Sequence, residues 1–162
     1  MTTTASISTK TAGNTSPQIA EVSVAGQWQG ALSTGIKART FDFTVSEPTS
    51  FGGANSGANP IEYVLGGFQG CVAVVVETVA RERDIRIDDL RLDITGSLDL
   101  RGFAGVWGVS PSIQTIVGEI HLDADLEHGA FGEFVAEIER RCPVYNLLRD
   151  AGVKLEIRWS LN

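Results

Sequence analysis

Cys71 and Cys142 are the only cysteines in the chain, and they are the residues whose type and setting promise chemistry. A dithiol enzyme needs one thiolate to attack an oxidant and a second thiol to resolve the oxidised sulfur. Cys71 ends the run Asn59-Pro60-Ile61-Glu62-Tyr63-Val64-Leu65-Gly66-Gly67-Phe68-Gln69-Gly70-Cys71, and Cys142 lies in Arg141-Cys142-Pro143-Val144-Tyr145. A residue before proline is pushed out of helical geometry, so one helix should stop at Cys142 and another begin at Pro143. Cys142 then holds an N-cap-like position, where free N–H groups and the helix dipole lower a thiol's pKa. Arg140 and Arg141 add positive charge beside it. Cys71 has no such local help. In mid-helix on an apolar stripe its pKa would be raised by burial, and it needs a cation or donor brought from elsewhere in the fold. Plain burial of Cys71 as a core residue is the competing reading.

The other chemistry-bearing residues are less suggestive. His121 alternates along a strand pattern and His128 stands in a turn beside Gly129, with no spacing that makes a metal site, so none is expected. The cluster Asp123, Asp125, Glu127 lacks the glycine and ligand spacing of a calcium loop and reads as solvated surface. Gly52-Gly53 and Gly66-Gly67 are not followed by the Gly-Lys-Ser/Thr of a phosphate-binding loop.

The elements that must position the thiols follow from periodicity. Val22, Val24, Gly26 and Trp28 alternate as a strand from about Ala20, Ser33-Thr34-Gly35 supplies a turn, and Phe41, Phe43 and Val45 form the second arm of a hairpin. Pro60 suits the first turn of a helix, and Ile61, Val64, Leu65, Phe68, Cys71, Val72, Val75, Val76 and Val79 then keep a helical stripe over about five turns. Gly66, Gly67, Gly70 and Ala73 strip one flank of that helix, at about 1 kcal/mol per glycine in propensity. A bare flank lets another backbone approach, so the helix should be covered on nearly all sides. Strands are predicted around Leu90, Leu92, Ile94 and around Ile116, Gly118, Ile120, Leu122, with a glycine-containing stretch from Gly102 to Gly108 between them. Phe131, Val135, Ile138 and Cys142 mark a second helix and Pro143 to Asp150 a third. Val153, Leu155, Ile157, Trp159 and Leu161 mark a closing strand. Strands and helices come in blocks, which predicts an α+β fold with mainly antiparallel sheet.

Length and composition bound the rest. A chain of 162 residues with 43% hydrophobic content fits one domain, read here as residues 19–162 behind a disordered Thr/Ser-rich tail, residues 1–18. A net charge of −7 argues against nucleic-acid or anionic-membrane partners, and no apolar run is read as a membrane span. The N-terminus lacks the apolar stretch of a secretory signal, so the cytoplasm is the expected compartment, where thiols stay reduced.

Taken together, Asn59-Pro60 with an acidic residue just after, the small-residue-rich helix, Cys71, and Cys142-Pro143-Val144 near the C-terminus resemble the OsmC/Ohr family of hydroperoxide-reducing proteins. The resemblance extends from the Trp28 hairpin through Phe51-Gly52-Gly53 to the last strand. It implies an intertwined homodimer with sheets wrapped around long central helices, reduction of organic hydroperoxides, and regeneration by an external dithiol without a bound cofactor. By that resemblance Cys71 is the peroxidatic thiol and Cys142 the resolving one. The family glutamate directly after the proline is replaced here by Ile61, with Glu62 displaced by one, and nine residues put Glu62 and Cys71 on opposite sides of an ideal helix. The arginine expected in the first hairpin turn is replaced by Thr34; Arg39, which shares strand parity with Phe41 and Phe43, is the candidate substitute, and Lys37 has the same parity. The rival reading keeps the scaffold without catalysis, as a module that binds an apolar small molecule.

Overall fold

The structure, a computed structural model, describes residues 16–162. The expected tail therefore lies, for residues 1–15, outside the described residues. Six strands and four helices follow in the order β1 (Ala25–Gly30), β2 (Ser33–Ala38), β3 (Phe41–Ser46), α1 (Pro60–Glu82), β4 (Ile87–Leu98), α2 (Leu100–Phe103), β5 (Ile113–Ala124), α3 (His128–Arg141), α4 (Pro143–Asp150) and β6 (Lys154–Leu161). This is the predicted α+β class.

The N-terminal region differs from the predicted hairpin. It is a three-stranded antiparallel meander in which Trp28 faces Thr34 and Ile36 faces Phe43. The first turn falls at Ala31-Leu32 rather than at Ser33-Thr34-Gly35, which instead opens β2. Ala31 and Leu32 take φ of 47° and 54°, and Arg39 takes 56° in the second turn. These are left-handed positions that Gly or Asn usually fill, so the residue types there do not announce turns. Residues 20–24, read as strand, lie outside β1 and pair with no strand among the described residues, because the β2 partner ends at Ala38 near the start of β1.

The second sheet has the order β4-β5-β6, with β4 antiparallel to β5 and β5 parallel to β6. The sheets are mainly antiparallel, as expected, and the one parallel pair among the described strands has a topological reason: two helices intervene between β5 and β6, a crossover long enough to return the chain in the same direction. One face of the β4-β5-β6 sheet carries Ile116, Ile120 and Leu122, all essentially inaccessible. Against it lies α1, with Phe68, Val72, Val76 and Val79 inward. Helix α3 adds Phe134 and Ile138, and α4 adds Leu148.

Helix α1 spans the predicted range, and its start is fixed chemically. Glu62 N–H donates to Asn59 Oδ1 at 2.9 Å while Asn59 N–H donates to Glu62 Oε2 at 2.7 Å, a reciprocal cap in front of Pro60. Two bonds pin α1 sideways: Gln69 Nε2 donates to the Leu92 carbonyl at 3.1 Å and Tyr63 donates to the Thr44 carbonyl at 2.9 Å. By length and apolar content α1 would suffice to cross a bilayer, which corrects the sequence reading that no run is long enough. In the fold its inner face is instead core of the β4-β5-β6 layer.

The expected full covering of α1 is not met within one chain. Side-chain atoms added at Gly66, Gly67 or Gly70 would meet nothing within 4 Å. Val74 on the same flank is 65% exposed. Among the described strands and helices the meander contacts only α1, through β3, and its first turn is tied to the following loop by Ala54 N–H donating to the Ala31 carbonyl at 3.2 Å.

Phe68 is the largest fully buried side chain at the centre of α1. Phe68→Ala removes its ring from the contact with Tyr145 and leaves a cavity between α1 and α4, and it should cost about 3–5 kcal/mol. Urea unfolding followed by tryptophan fluorescence checks this.

Candidate active site

The two thiols meet. Cys71, half-buried on α1, and Cys142, wholly buried at the junction of α3 and α4, place their sulfurs 3.3 Å apart, with Cys142 Sγ donating to Cys71 Sγ. Seventy-one positions of sequence separate them, so only the docking of the α3–α4 corner on α1 can bring them together.

That corner is built by Pro143. Proline cannot continue α3, and Cys142 takes an extended φ of −74° and ψ of 113° that ends one helix and caps the next. Tyr145 N–H donates to Cys142 Sγ at 3.4 Å, the cap predicted from sequence. Asn146, which the sequence reading passed over, closes the corner from outside. Its amide nitrogen lies within 3.0 Å of the Glu139 carbonyl and 3.1 Å of the Arg140 carbonyl, both at the end of α3, and 2.7 Å from the Cys142 carbonyl, which also accepts from the Asn146 backbone N–H at 3.0 Å. A signal for it exists: an asparagine in the first turn after a proline break, one turn beyond the residue that breaks.

The electrostatic expectation for Cys142 is corrected. The cap donor from Tyr145 does favour the thiolate, but burial outweighs it and pushes the thiol up from 9.0 to about 11, with the Cys71 sulfur adding in the same direction. The neighbouring arginines are committed elsewhere. Arg140 forks onto Glu137 at 2.7 and 2.9 Å, and Arg141 onto Glu82 at 2.6 and 3.0 Å. Cys142 therefore keeps its proton at neutral pH and offers it to Cys71. Behind the pair, burial and the Glu139 carboxylate push the Tyr145 hydroxyl up to about 12, and Trp159 Nε1 donates to Glu139 at 3.2 Å.

Cys71 opens onto a cavity of about 490 Å³ lined by Gly70, Val74, Val75, Thr78, Arg141 and Pro143. Arg141 is the one charged residue in that lining. Arg39 and Glu62 do not line it. Arg39 sits in the β2–β3 turn with its guanidinium 5.1 Å from the Phe41 ring, and Glu62 is spent in the cap of α1. Lys37 pairs with Asp42 at 3.6 Å. A second hollow of about 530 Å³ lies at the N-terminal end of α1, among Leu32, Phe51, Ile61, Leu65, Ile94 and Phe103. His121 hydrogen bonds Ser160 across β5 and β6 at 2.7 Å, and His128 opens α3 rather than standing in a turn. Among the described residues no three His, Cys, Asp or Glu side chains converge as a metal site.

Two sheets flanking a long helix, with a helix-borne thiol met by a second thiol on a proline-broken corner, define the class. The profile of the OsmC-like protein family matches residues 53–158, more than half of the chain, and the chain belongs to that family. No curated protein matches the sequence. The fold is similar to the crystal structure of an OsmC-like protein from Mycoplasma pneumoniae (19% identity, TM-score 0.75, 87% of this chain and 96% of that one). It is also similar to an organic hydroperoxide resistance protein OsmC from Legionella pneumophila (17% identity, TM-score 0.61, 89% and 99%). The organic hydroperoxide resistance protein OhrB of Bacillus subtilis is a third (19% identity, TM-score 0.59, 86% and 98%).

A thiol whose folded pKa is raised binds its proton more tightly in the folded state, so it favours folding below its unfolded pKa. That contribution is lost as pH climbs from 9.0 toward 11. Wild type should lose stability relative to Cys142→Ala across that window, measured by urea midpoints. In native protein at pH 8, iodoacetamide should label Cys71 well before Cys142, read by peptide mass spectrometry.

Proposed function

We propose that this protein is a thiol-dependent peroxidase that reduces organic hydroperoxides in the cytoplasm, working as a homodimer and regenerated by an external dithiol. The observation that carries the reading is the 3.3 Å sulfur pair, with an accessible thiol in front and a protonated, buried one behind it. Membership of a family whose relatives are named for organic hydroperoxide resistance supports the substrate class.

The cycle runs in three steps. The Cys71 thiolate attacks the outer oxygen of the hydroperoxide, the O–O bond breaks, and the alkoxide leaves and takes a proton to become an alcohol. Cys71 is left as a sulfenic acid. Cys142, giving up its proton, attacks that sulfur and expels the oxygen as water, forming the disulfide. The sulfurs close from 3.3 Å to about 2.05 Å, a movement the short corner can make. An external dithiol then reduces the disulfide and becomes oxidised itself. The assignment of attacker and resolver rests on exposure: Cys71 opens onto the cavity, whereas Cys142 is wholly buried behind it.

The dimer reading follows from the unfinished surface. A flank of three glycines costs about 1 kcal/mol each in helix propensity and in one chain meets nothing; a second copy packed there would recover that cost. The meander carries Arg39 at its second turn, and a second copy is the route by which that cation would reach a thiol site. The alternative of an apolar-ligand module is favoured by one observation, the 530 Å³ hollow, which the thiols do not line.

One equivalent of cumene hydroperoxide added to reduced protein should consume both thiols and yield the Cys71–Cys142 disulfide. Cys142→Ser should consume one equivalent and leave a dimedone-reactive sulfenic acid at Cys71, and Cys71→Ser should not react. If both thiols of wild type remain titratable, the enzyme reading fails and the binding module stands. For the dimer, sedimentation should give two copies at micromolar concentration. Gly66→Gln with Gly67→Gln, which clashes with nothing inside the chain, should leave a folded monomer.

A further inference from the structure

We propose that Arg141 and Glu82 are positioning residues for the thiol pair: their ion pair clamps the end of α3 to α1 and so sets the effective concentration of the Cys142 sulfur at Cys71. The inference rests on the dithiol reading above and adds the device that tunes it. Arg141 immediately precedes Cys142, and Glu82 is the last residue of α1, the helix that carries Cys71.

The contact has two points, Nη1 to Oε2 at 2.6 Å and Nη2 to Oε1 at 3.0 Å. A planar fork of this kind fixes orientation as well as distance, which a single ammonium contact does not. The two helices run antiparallel. At one end Arg83 pairs with Glu133 at 3.5 Å and lies 5.9 Å from the centre of the Phe134 ring; at the other the two sulfurs meet. Helical side chains lean toward their own N-terminus, so Arg141, in the last turn of α3, reaches back along α1 to Glu82. The clamp thus spans the stretch of α1 between the thiol and the helix end, and the aliphatic part of Arg141 walls the Cys71 cavity on the way. Glu137, itself held by Arg140, stands 3.8 Å from Arg141 and keeps the guanidinium from swinging away.

The pair is 28% and 47% exposed, so it is weak enough to be screened by salt. It sits where a small displacement matters. At 3.3 Å the sulfurs need to lose little more than 1 Å to bond, and the corner that Arg141 anchors holds them at that short starting distance. Releasing the fork lets α3 and α4 shift on α1 without unfolding either helix, since Asn146 and the Tyr145 donor hold the corner itself.

The test is a thiol–disulfide equilibrium of the full chain with glutathione, in which protein dithiol and oxidised glutathione give protein disulfide and two reduced glutathiones. Alkylation and mass spectrometry then give the effective concentration of the pair. Glu82→Gln or Arg141→Gln should lower it about two- to five-fold, the scale of a partly exposed ion pair. The double variant should fall by less than the two singles combined, because both break the shared fork. About 1 M potassium chloride, where the Debye length is about 3 Å, should lower wild type toward the single variants and leave those variants unmoved. Single variants with the wild-type effective concentration, or salt acting equally on all forms, would overturn the clamp. Should Arg141→Gln not fold, Glu82→Gln decides alone. A wild type that forms no Cys71–Cys142 disulfide with glutathione or hydroperoxide overturns the dithiol reading itself, and that failure shows without any variant.

Discussion

The break at Cys142-Pro143 and its docking on α1 is the constraint on which the rest of the site depends. Proline ends α3, the chain turns through one extended residue, and α4 starts at once, so the residue between them is held at a helix N-terminus pressed into the core. Because α1 is pinned to β4 and β3 by Gln69 and Tyr63, it cannot roll away from that corner. The sulfur pair is the product of two independently fixed elements, and neither half of the sequence builds it alone.

The corner also shows how two opposing electrostatic effects are resolved. A helix N-terminus favours a thiolate, burial opposes it, and at Cys142 burial prevails because the sulfur has no exposure, while the Tyr145 and Val144 N–H groups of the cap offset only part of that cost. The outcome suits a resolving thiol held in reserve. It stays protonated and lies 3.3 Å from Cys71, as the proposed cycle requires of it.

The bare flank of α1 is continuous with the site. Gly66, Gly67 and Gly70 lead to Cys71 along that flank, and Gly70 lines the cavity at Cys71. A second copy packed on these glycines, as proposed above, would therefore also roof the thiol.

Much of this protein was determined locally. The period of α1, the reciprocal cap in front of Pro60, the stop at Cys142 and the alternation of β6 all arise from interactions within a few residues, and each appears in the structure where its residue types put it. The turns at Ala31-Leu32 and at Arg39 were not legible, because the strand pairing on either side forces left-handed backbone on residues that do not prefer it. The three-carbonyl clasp of Asn146 depends on how two helices meet: an asparagine after a proline break marks the position, but not the carbonyls it will reach. The protonation of Cys142 was misjudged for the same reason: a cap is a local property, whereas burial is summed over α1, α3 and α4 together. The sequence by itself settled the family pattern and the two thiols. Only the tertiary structure decided that they touch, which one keeps its proton, and that Arg141 reaches Glu82 while Arg39 and Glu62 stand apart, because those are distances between elements that the chain's local preferences do not encode.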